Sequence, residues 1–440
     1  MFLLSSPLFA AEVIAPPDGA TDQPVPVTLQ VDAEGRFEGR ELWLPGPDFT
    51  VIALPDTQFY ACGCRGGAHE TFYAQTAWAA EVADERNVAF VTQLGDCVEN
   101  GDQDMSEWEV ADAAFTTVEE AGLPFGIAVG NHDQTPFGDP DGDTVGYNAT
   151  FGVERFEHQE WYGGHRGEDN DNHYELFSAG GLDWIIVHVE YDQAADSPLA
   201  AWAAEVLDDH ADRKAIVVSH YLLNPGGDFS TQGALLDDAL SPYDVVVMLA
   251  GHLTDEELRT DDHGDHVTYT MLSDYQSLAN GGDGWMRILT FSPANDTIAV
   301  ETWSPTRGEF EEDANSAFTV DRVLDAPWED LGEGTEVSWS GLAPETTYEW
   351  RLVEEDGTIS GPWTFTTGAE FGDTSSDSET VQEPPVELEK GCGCAHGAGG
   401  FWLLGALVLS ARRRRPRPKR GGPGSGRSAR APGPRPAASR

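Results

Sequence analysis

Between Phe49 and about Val300 the chain alternates short apolar runs with stretches of helical period. The runs are FTVIAL (49–54), AFVTQL (89–94), FGIAV (125–129), WIIVHV (184–189), AIVVS (215–219) and DVVVMLA (244–250). They are rich in β-branched residues and show little polar alternation, the pattern of strands buried on both faces. Residues 70–87, 105–121 and 199–211 lie between them and read as helices. Apolar strands separated by helices predict an α/β sheet covered on both sides. Val267–Leu272, Met286–Phe291 and Thr297–Thr302 follow without intervening helices and predict a meander that adds a second sheet. Pro16–Leu44 also reads as β, and Thr335–Thr367 shows short alternating strands with a Pro-Glu and an Asp-Gly turn.

Polar residues sit at the ends of these strands in an ordered way. FTVIAL runs into Asp56 and Gln58, AFVTQL into Gly95-Asp96, and FGIAV into Gly130-Asn131-His132-Asp133. AIVVS runs into His220, and DVVVMLA into Gly251-His252. In an open α/β sheet such ends converge on one rim. Carboxylates, an amide and imidazoles gathered there suit hard-to-borderline divalent ions. Each residue alone has a bland alternative, as a helix cap or turn former. Recurrence at successive strand ends is what that alternative explains badly.

Composition narrows the partners. Of 440 residues, 77 are acidic and 25 basic, a net charge of −52. Eleven of the basic residues follow Gly391, leaving 14 for residues 1–390 and a net of −63 there. Such a body repels a phosphate backbone, which excludes nucleic-acid binding by it. Small phosphate esters stay open, because bound cations reverse the local sign. Only Lys214, Lys390 and Lys419 are lysines.

The termini point to export. Residues 1–11 contain FLLSSPLFAA, which reads as a truncated signal peptide. Residues 371–390 read as an acidic linker. Residues 391–415 hold Cys392, Cys394, a charge-free stretch over 395–411 and Arg412–Arg415. That order resembles the C-terminal sorting tags of myxobacterial surface proteins, which implies membrane attachment through residues 395–415 and a cell-surface location. Residues 416–440 read as a disordered basic tail. In an exported protein Cys62 or Cys64 could pair with Cys97.

Taken together, LPDTQ, LGDCVEN, VGNHD, VVSHY and AGH resemble, in order, the motifs of a calcineurin-like metallophosphoesterase of the exported ALPDTQ type. The likeness covers residues 47–320, strengthened by NDNHYELFSAGGLDWIIVHVEYD and ETWSP. It implies an α/β four-layer α-β-β-α sandwich, two mixed sheets flanked by helices, acting as a monomer on small phosphate esters. It implies two divalent ions of the Mn, Mg, Fe or Zn kind, Asp56 on the first, Asp96 bridging, and Asn131, His220 and His252 on the second. It also implies His132 as general acid, oriented by Asp133. Two positions depart from the family: Gln58 and Thr254 stand where it has histidines. The first ion's site is therefore expected to be weak, or to be completed by His188, Glu190 or Asp274. Arg259 could meet a substrate phosphate. GLAPETTYEWRL and GPWTFTT resemble half of a fibronectin type III module, placed at 321–370, and residues 12–46 could share one small domain with it. DPDGD (139–143) resembles part of a calcium loop. The competing reading is a weakened family member acting as a surface binding or adhesion protein.

Overall fold

The computed structural model describes residues 11–264 and 266–369. The segments read as linker, membrane tag and basic tail lie outside these residues, as do residues 1–10 of the signal-like stretch. Among the described residues, no helix is long and apolar enough to cross a membrane.

The six apolar runs do not share one sheet. Phe49–Leu54, Val88–Gln93 and Phe125–Ile127 pair in parallel in a first seven-stranded sheet. Met286–Ser292 and Thr297–Ser304 extend the same sheet antiparallel from Phe49–Leu54, with Glu309–Glu311 and Phe318–Asp321 at its edge. Leu182–Val189, Lys214–Ser219, Val245–Ala250 and Val267–Asp274 pair in parallel in a second seven-stranded sheet. Asp255–Asp262, His173–Ala179 and Tyr162–His165 flank it antiparallel. The expected meander thus joins the first sheet, and its first segment joins the second. Periodicity alone cannot assign a strand to a sheet when every strand is buried on both faces.

Three apolar layers follow from this arrangement. Between the sheets pack Phe49, Phe90, Trp184, Ile216, Val247 and Phe291. Phe49 stacks on Phe291 at 4.9 Å and meets Trp184 edge-on at 5.2 Å. Truncating such a buried ring to alanine costs about 3–5 kcal/mol. The outer face of the first sheet is covered by helices His69–Glu81 and Met105–Glu120, through Phe72, Trp108 and Phe115. The outer face of the second is covered by Leu199–Asp209 and Thr231–Leu240, through Ala203, Leu207 and Leu236. The layer order is α-β-β-α, as expected. Asp104 caps the Met105 helix by accepting from Ser106 N, and Ser230 caps the Thr231 helix by accepting from Gly233 N at 3.0 Å. The helix runs Met105–Glu120, within one residue of the 105–121 reading.

The two ends of the described chain meet in a third sheet. Its central strand, Val27–Glu41, pairs with Glu329–Trp339 and with Thr347–Glu354, and Ile359–Thr367 adds beyond. Phe37, Trp339, Trp350 and Phe365 form its core. Ala11 belongs to this core, donating its backbone N–H to Ser360 Oγ at 2.8 Å. Arg40 ties the sheet to the body, donating to Glu349 at 2.6 Å and to Asp325 at 3.0 Å.

Candidate metal centre and active site

The parallel strands of both sheets deliver their C-terminal ends to one continuous hydrogen-bonded group. His132 N donates to Asp96 Oδ1 at 2.8 Å, and His220 Nε2 lies 3.1 Å from Asp96 Oδ2. His252 Nδ1 lies 3.1 Å from His220 Nε2, and His252 N donates to Asp56 Oδ1 at 3.1 Å. Asp56, Asp96 and His220 are buried. The sequence pattern therefore found the cluster, and its glycines have a steric reason. A Cβ on Gly130 would lie 2.1 Å from Asp96 N, and one on Gly251 would lie 2.1 Å from Asp56 Oδ1. Asp96 and His252 themselves hold left-handed backbone, φ +52° and +80°. Non-glycine residues adopt that region at a cost, and it concentrates at functional sites.

The electrostatics of the group suit a cation. Among the described residues, no Lys or Arg pairs with Asp56, Asp96 or Asp274 in a hydrogen bond or ion pair. Burial, then the charge of Asp274, pushes the Asp56 carboxyl well above its usual range. Burial lowers the pKa of His220, but the Asp96 and Asp56 carboxylates outweigh it and raise it to about 10. Burial and the neighbouring His220 push His252 down to about 4. His220 Nδ1 sits 3.0 Å from the Leu94 carbonyl and must donate to it, since a carbonyl only accepts. Its Nε2 is thereby left towards Asp96 and His252. Asn131 Oδ1 and Gln58 Oε1 are buried with no hydrogen-bond partner. Two orphaned amide oxygens beside buried carboxylates and imidazoles fit a divalent ion.

Around positions 58 and 254 the chain substitutes a polar brace. Thr254 Oγ1 donates to Asp274 Oδ2 at 2.9 Å, and Gln276 N donates to Asp274 Oδ1 at 2.8 Å. Gln276 Nε2 donates to Asp56 Oδ2 at 3.2 Å, and Gln58 Nε2 donates to Gln276 Oε1. Of the three residues considered for completing this side, Asp274 is the one brought to it. His188 is elsewhere, between Glu175 and Thr92. Glu190 is also elsewhere, accepting from Asn172 Nδ2 at 2.6 Å. Gln276 was missed, because a glutamine two residues beyond a strand carries no signal of its own.

The expected Asp133–His132 hydrogen bond is not formed. Asp133 accepts from Gly130 N at 2.8 Å, Val98 N at 3.0 Å and Cys97 N at 3.2 Å. A buried carboxylate next to three unpaired amides binds those amides, and so it pins two site loops together. Burial and then Asp96 push it up to about 7. The His132 ring is held instead by the Glu99 carbonyl, 2.8 Å from Nδ1, which leaves Nε2 available for proton transfer. Its side chain is 23% exposed, so it is the open member of the group.

A hollow of about 450 Å³ opens beside these residues, lined by Gln58, Arg65, Glu99, His132, Gln276 and Leu278. Arg65 is the one Lys or Arg among the described residues that line it, 66% exposed, and 3.4 Å from Glu99 Oε1. Sequence reasoning passed over Arg65, since it follows a CxC pair rather than a strand. Cys62 and Cys64 are bonded to each other, which corrects the expected pairing with Cys97; Cys97 is buried and unbridged. Arg259 is not at the site. It pairs with Asp261 at 2.7 Å on the edge strand Asp255–Asp262 and packs over Phe229 at 4.0 Å. The DPDGD segment closes a local turn, in which Asp143 N donates to the Thr135 carbonyl at 2.6 Å.

The chain is similar to several known proteins. Residues 49–255 match the family described as Calcineurin-like phosphoesterase. A Bacillus subtilis (strain 168) protein, "Uncharacterized protein YvnB", is 30% identical over 364 residues, 73% of this chain. This chain spans 27% of that relative's length. Among solved structures, similarity extends to GAP50, "the anchor in the inner membrane complex of Plasmodium", at 13% identity and TM-score 0.40, over 63% of this chain and 91% of that one. It also extends to a dimetal phosphatase from Danio rerio, at 12% identity and TM-score 0.41, over 62% and 99%. The matched residues 49–255 are those that supply Asp56, Gln58, Asp96, Asn131, His132, Asp133, His220 and His252, and the chain has the metallophosphoesterase fold.

Proposed function

We infer that the protein is a metal-dependent phosphoesterase acting on small phosphomonoesters or diesters. The observation that carries this reading is the Asp56–Asp96–His220–His252 group, largely buried, with orphaned Asn131 Oδ1 and, among the described residues, no pairing Lys or Arg. Asp56, Asp96 and Gln58 would hold one divalent ion, and Asp96, Asn131, His220 and His252 a second. When bound, such a pair supplies Lewis acidity and a water of lowered pKa.

The chain's own residues supply the rest. His132 protonates the leaving oxygen from Nε2, because its Nδ1 is fixed by the Glu99 carbonyl. Asp133 fixes the loops that carry Asp96 and His132. Arg65, at the mouth of the hollow, meets the anionic ester. The first ion's site is the weaker, since Gln58 offers an amide oxygen and Thr254 a hydroxyl engaged with Asp274 where the family has histidines. The protein is exported and monomeric, attached at the cell surface through residues 395–415, with its fibronectin type III-like sheet as a spacer.

The test is turnover of a panel of phosphomonoesters and phosphodiesters with added Mn²⁺. Asp96→Ala should lower kcat/KM at least about a thousandfold, or ~4 kcal/mol of barrier. Activity indifferent to Asp96→Ala would overturn the reading, and metal bound without turnover on the panel would favour a binding protein. Titration with Mn²⁺ should give two unequal affinities; two equal tight sites would refute the weak first site.

A further inference from the structure

A second group of side chains able to ligate a metal, His173, Glu175 and His188, lies outside the candidate active site. His173 and Glu175 on His173–Ala179 face His188 on the neighbouring strand Leu182–Val189. All three side chains are 0–1% exposed. His173 Nε2 is 3.3 Å from Glu175 Oε1, and His188 Nδ1 is 3.0 Å from Glu175 Oε2. The two imidazoles stack at 4.6 Å with 10° between planes.

The hydrogen-bond inventory shows what is missing. His173 Nδ1 is 2.8 Å from the Asn170 carbonyl. A carbonyl only accepts, so Nδ1 carries the proton and Nε2 presents a lone pair. That lone pair faces Glu175 Oε1, and both atoms are buried without a hydrogen-bond partner. Two acceptors facing each other require a positive species between them. A charge-assisted N–H···O contact would draw in to about 2.7–2.9 Å. Donors sharing one ion at about 2.0–2.2 Å instead stand roughly 3.0–3.5 Å apart, as His173 Nε2 and Glu175 Oε1 do at 3.3 Å, whereas His188 Nδ1 at 3.0 Å from Glu175 Oε2 fits either an ion or a hydrogen bond. On the far side, His188 Nε2 is 2.9 Å from Thr92 Oγ1, a partner that can accept its N–H and leave Nδ1 to the ion.

We propose that His173 Nε2, His188 Nδ1 and the Glu175 carboxylate bind one divalent ion of the Zn²⁺ or Co²⁺ class, a closed structural site separate from the active centre. It would tie the two strands together and, through Thr92 on Val88–Gln93, tie one sheet to the other. With no solvent access, the ion would enter during folding and resist later exchange.

The test uses the full chain carrying Asp96→Ala and His220→Ala, which removes two of the proposed active-centre ligands, the bridging one included, refolded with Co²⁺ and passed over a chelating resin. The expected result is about one Co²⁺ retained per chain with the visible absorption of nitrogen- and oxygen-ligated cobalt. Adding Glu175→Gln or His173→Ala should abolish both signals while circular dichroism still reports a folded protein. If the active-centre substitutions prevent folding, the same loss of about one ion should appear when Glu175→Gln is made alone. A folded chain that retains no cobalt, or retains it without Glu175 and His173, overturns the proposal and leaves a proton as the bridging species. Phosphatase activity is not read, so failure here says nothing against the proposed enzyme.

Discussion

Two clusters of histidine and carboxylate occupy this domain, and they differ in almost everything but composition. Asp96, His220 and His252 stand just past strand ends, Asp96 and His252 on left-handed backbone preceded by glycine, beside a hollow. His173, Glu175 and His188 stand inside regular strands, closed on all sides. The same side chain is driven in opposite directions. At His220, burial lowers the pKa but two carboxylates overcome it and raise it to about 10. At His188, burial alone acts and lowers it to about 3. Strand ends can gather groups from several strands and remain open to a substrate. Strand interiors can only pair neighbours, which suits a fastening rather than a reaction.

The sharpest way to break this contrast is to delete the carboxylate of the closed cluster. Glu175→Ala should lower the stability of metal-loaded protein by about 3 kcal/mol, the usual scale for removing one partner of a buried ionic group. Urea denaturation measures it. A loss under about 0.5 kcal/mol, the range of an ordinary surface change, would make the two clusters alike in being dispensable to the fold.

At the open cluster the effect should appear in chemistry. His132→Ala should reduce kcat about a hundredfold for esters with alkyl leaving groups. Esters with acidic leaving groups should lose much less, because they need little protonation. Equal losses on both would assign His132 to charge stabilisation instead. Arg65→Ala should raise KM about tenfold, ~1.4 kcal/mol, with kcat nearly constant. A fall in kcat without a change in KM would remove Arg65 from substrate binding.

The contrast also explains what the sequence disclosed. The open cluster was legible because glycine and a ligand recur immediately after apolar runs, and Gly130 and Gly251 are fixed by close approach to Asp96 and Asp56. The closed cluster was not, because His173, Glu175 and His188 occupy ordinary alternating positions whose meeting depends on strand register. Asp133 was placed correctly but given the wrong partner. Its sequence neighbour His132 suggested a side-chain pair, whereas the nearest unpaired donors are backbone amides of another loop. The layer order was readable, but the division of six buried strands between two sheets was not. Nothing in a run such as AIVVS says which of two apolar sandwiches it enters.

The smallest effect tests the same idea at the opposite end of one strand. Val245–Ala250 leads to His252 at its C-terminal end, where among the described residues no Lys or Arg pairs with Asp56 or Asp96. At its start stands Asp244, 2.7 Å from Lys214 Nζ and also hydrogen-bonded by Arg322. Burial raises the Asp244 pKa, but Lys214 and Arg322 outweigh it and hold the group below its ordinary 3.8. A depressed folded-state pKa means the stabilisation is present above pH 3.8 and is lost as pH falls through the folded value. The side chain is 39% exposed, so solvent screening limits Asp244→Asn to about 0.5 kcal/mol at neutral pH. Thermal melts of the two proteins should converge as the pH falls below 3.8. A difference that persists under acid would show that Asp244 acts through packing, and that cations at this end of the strand do not stand in for the metal at the other.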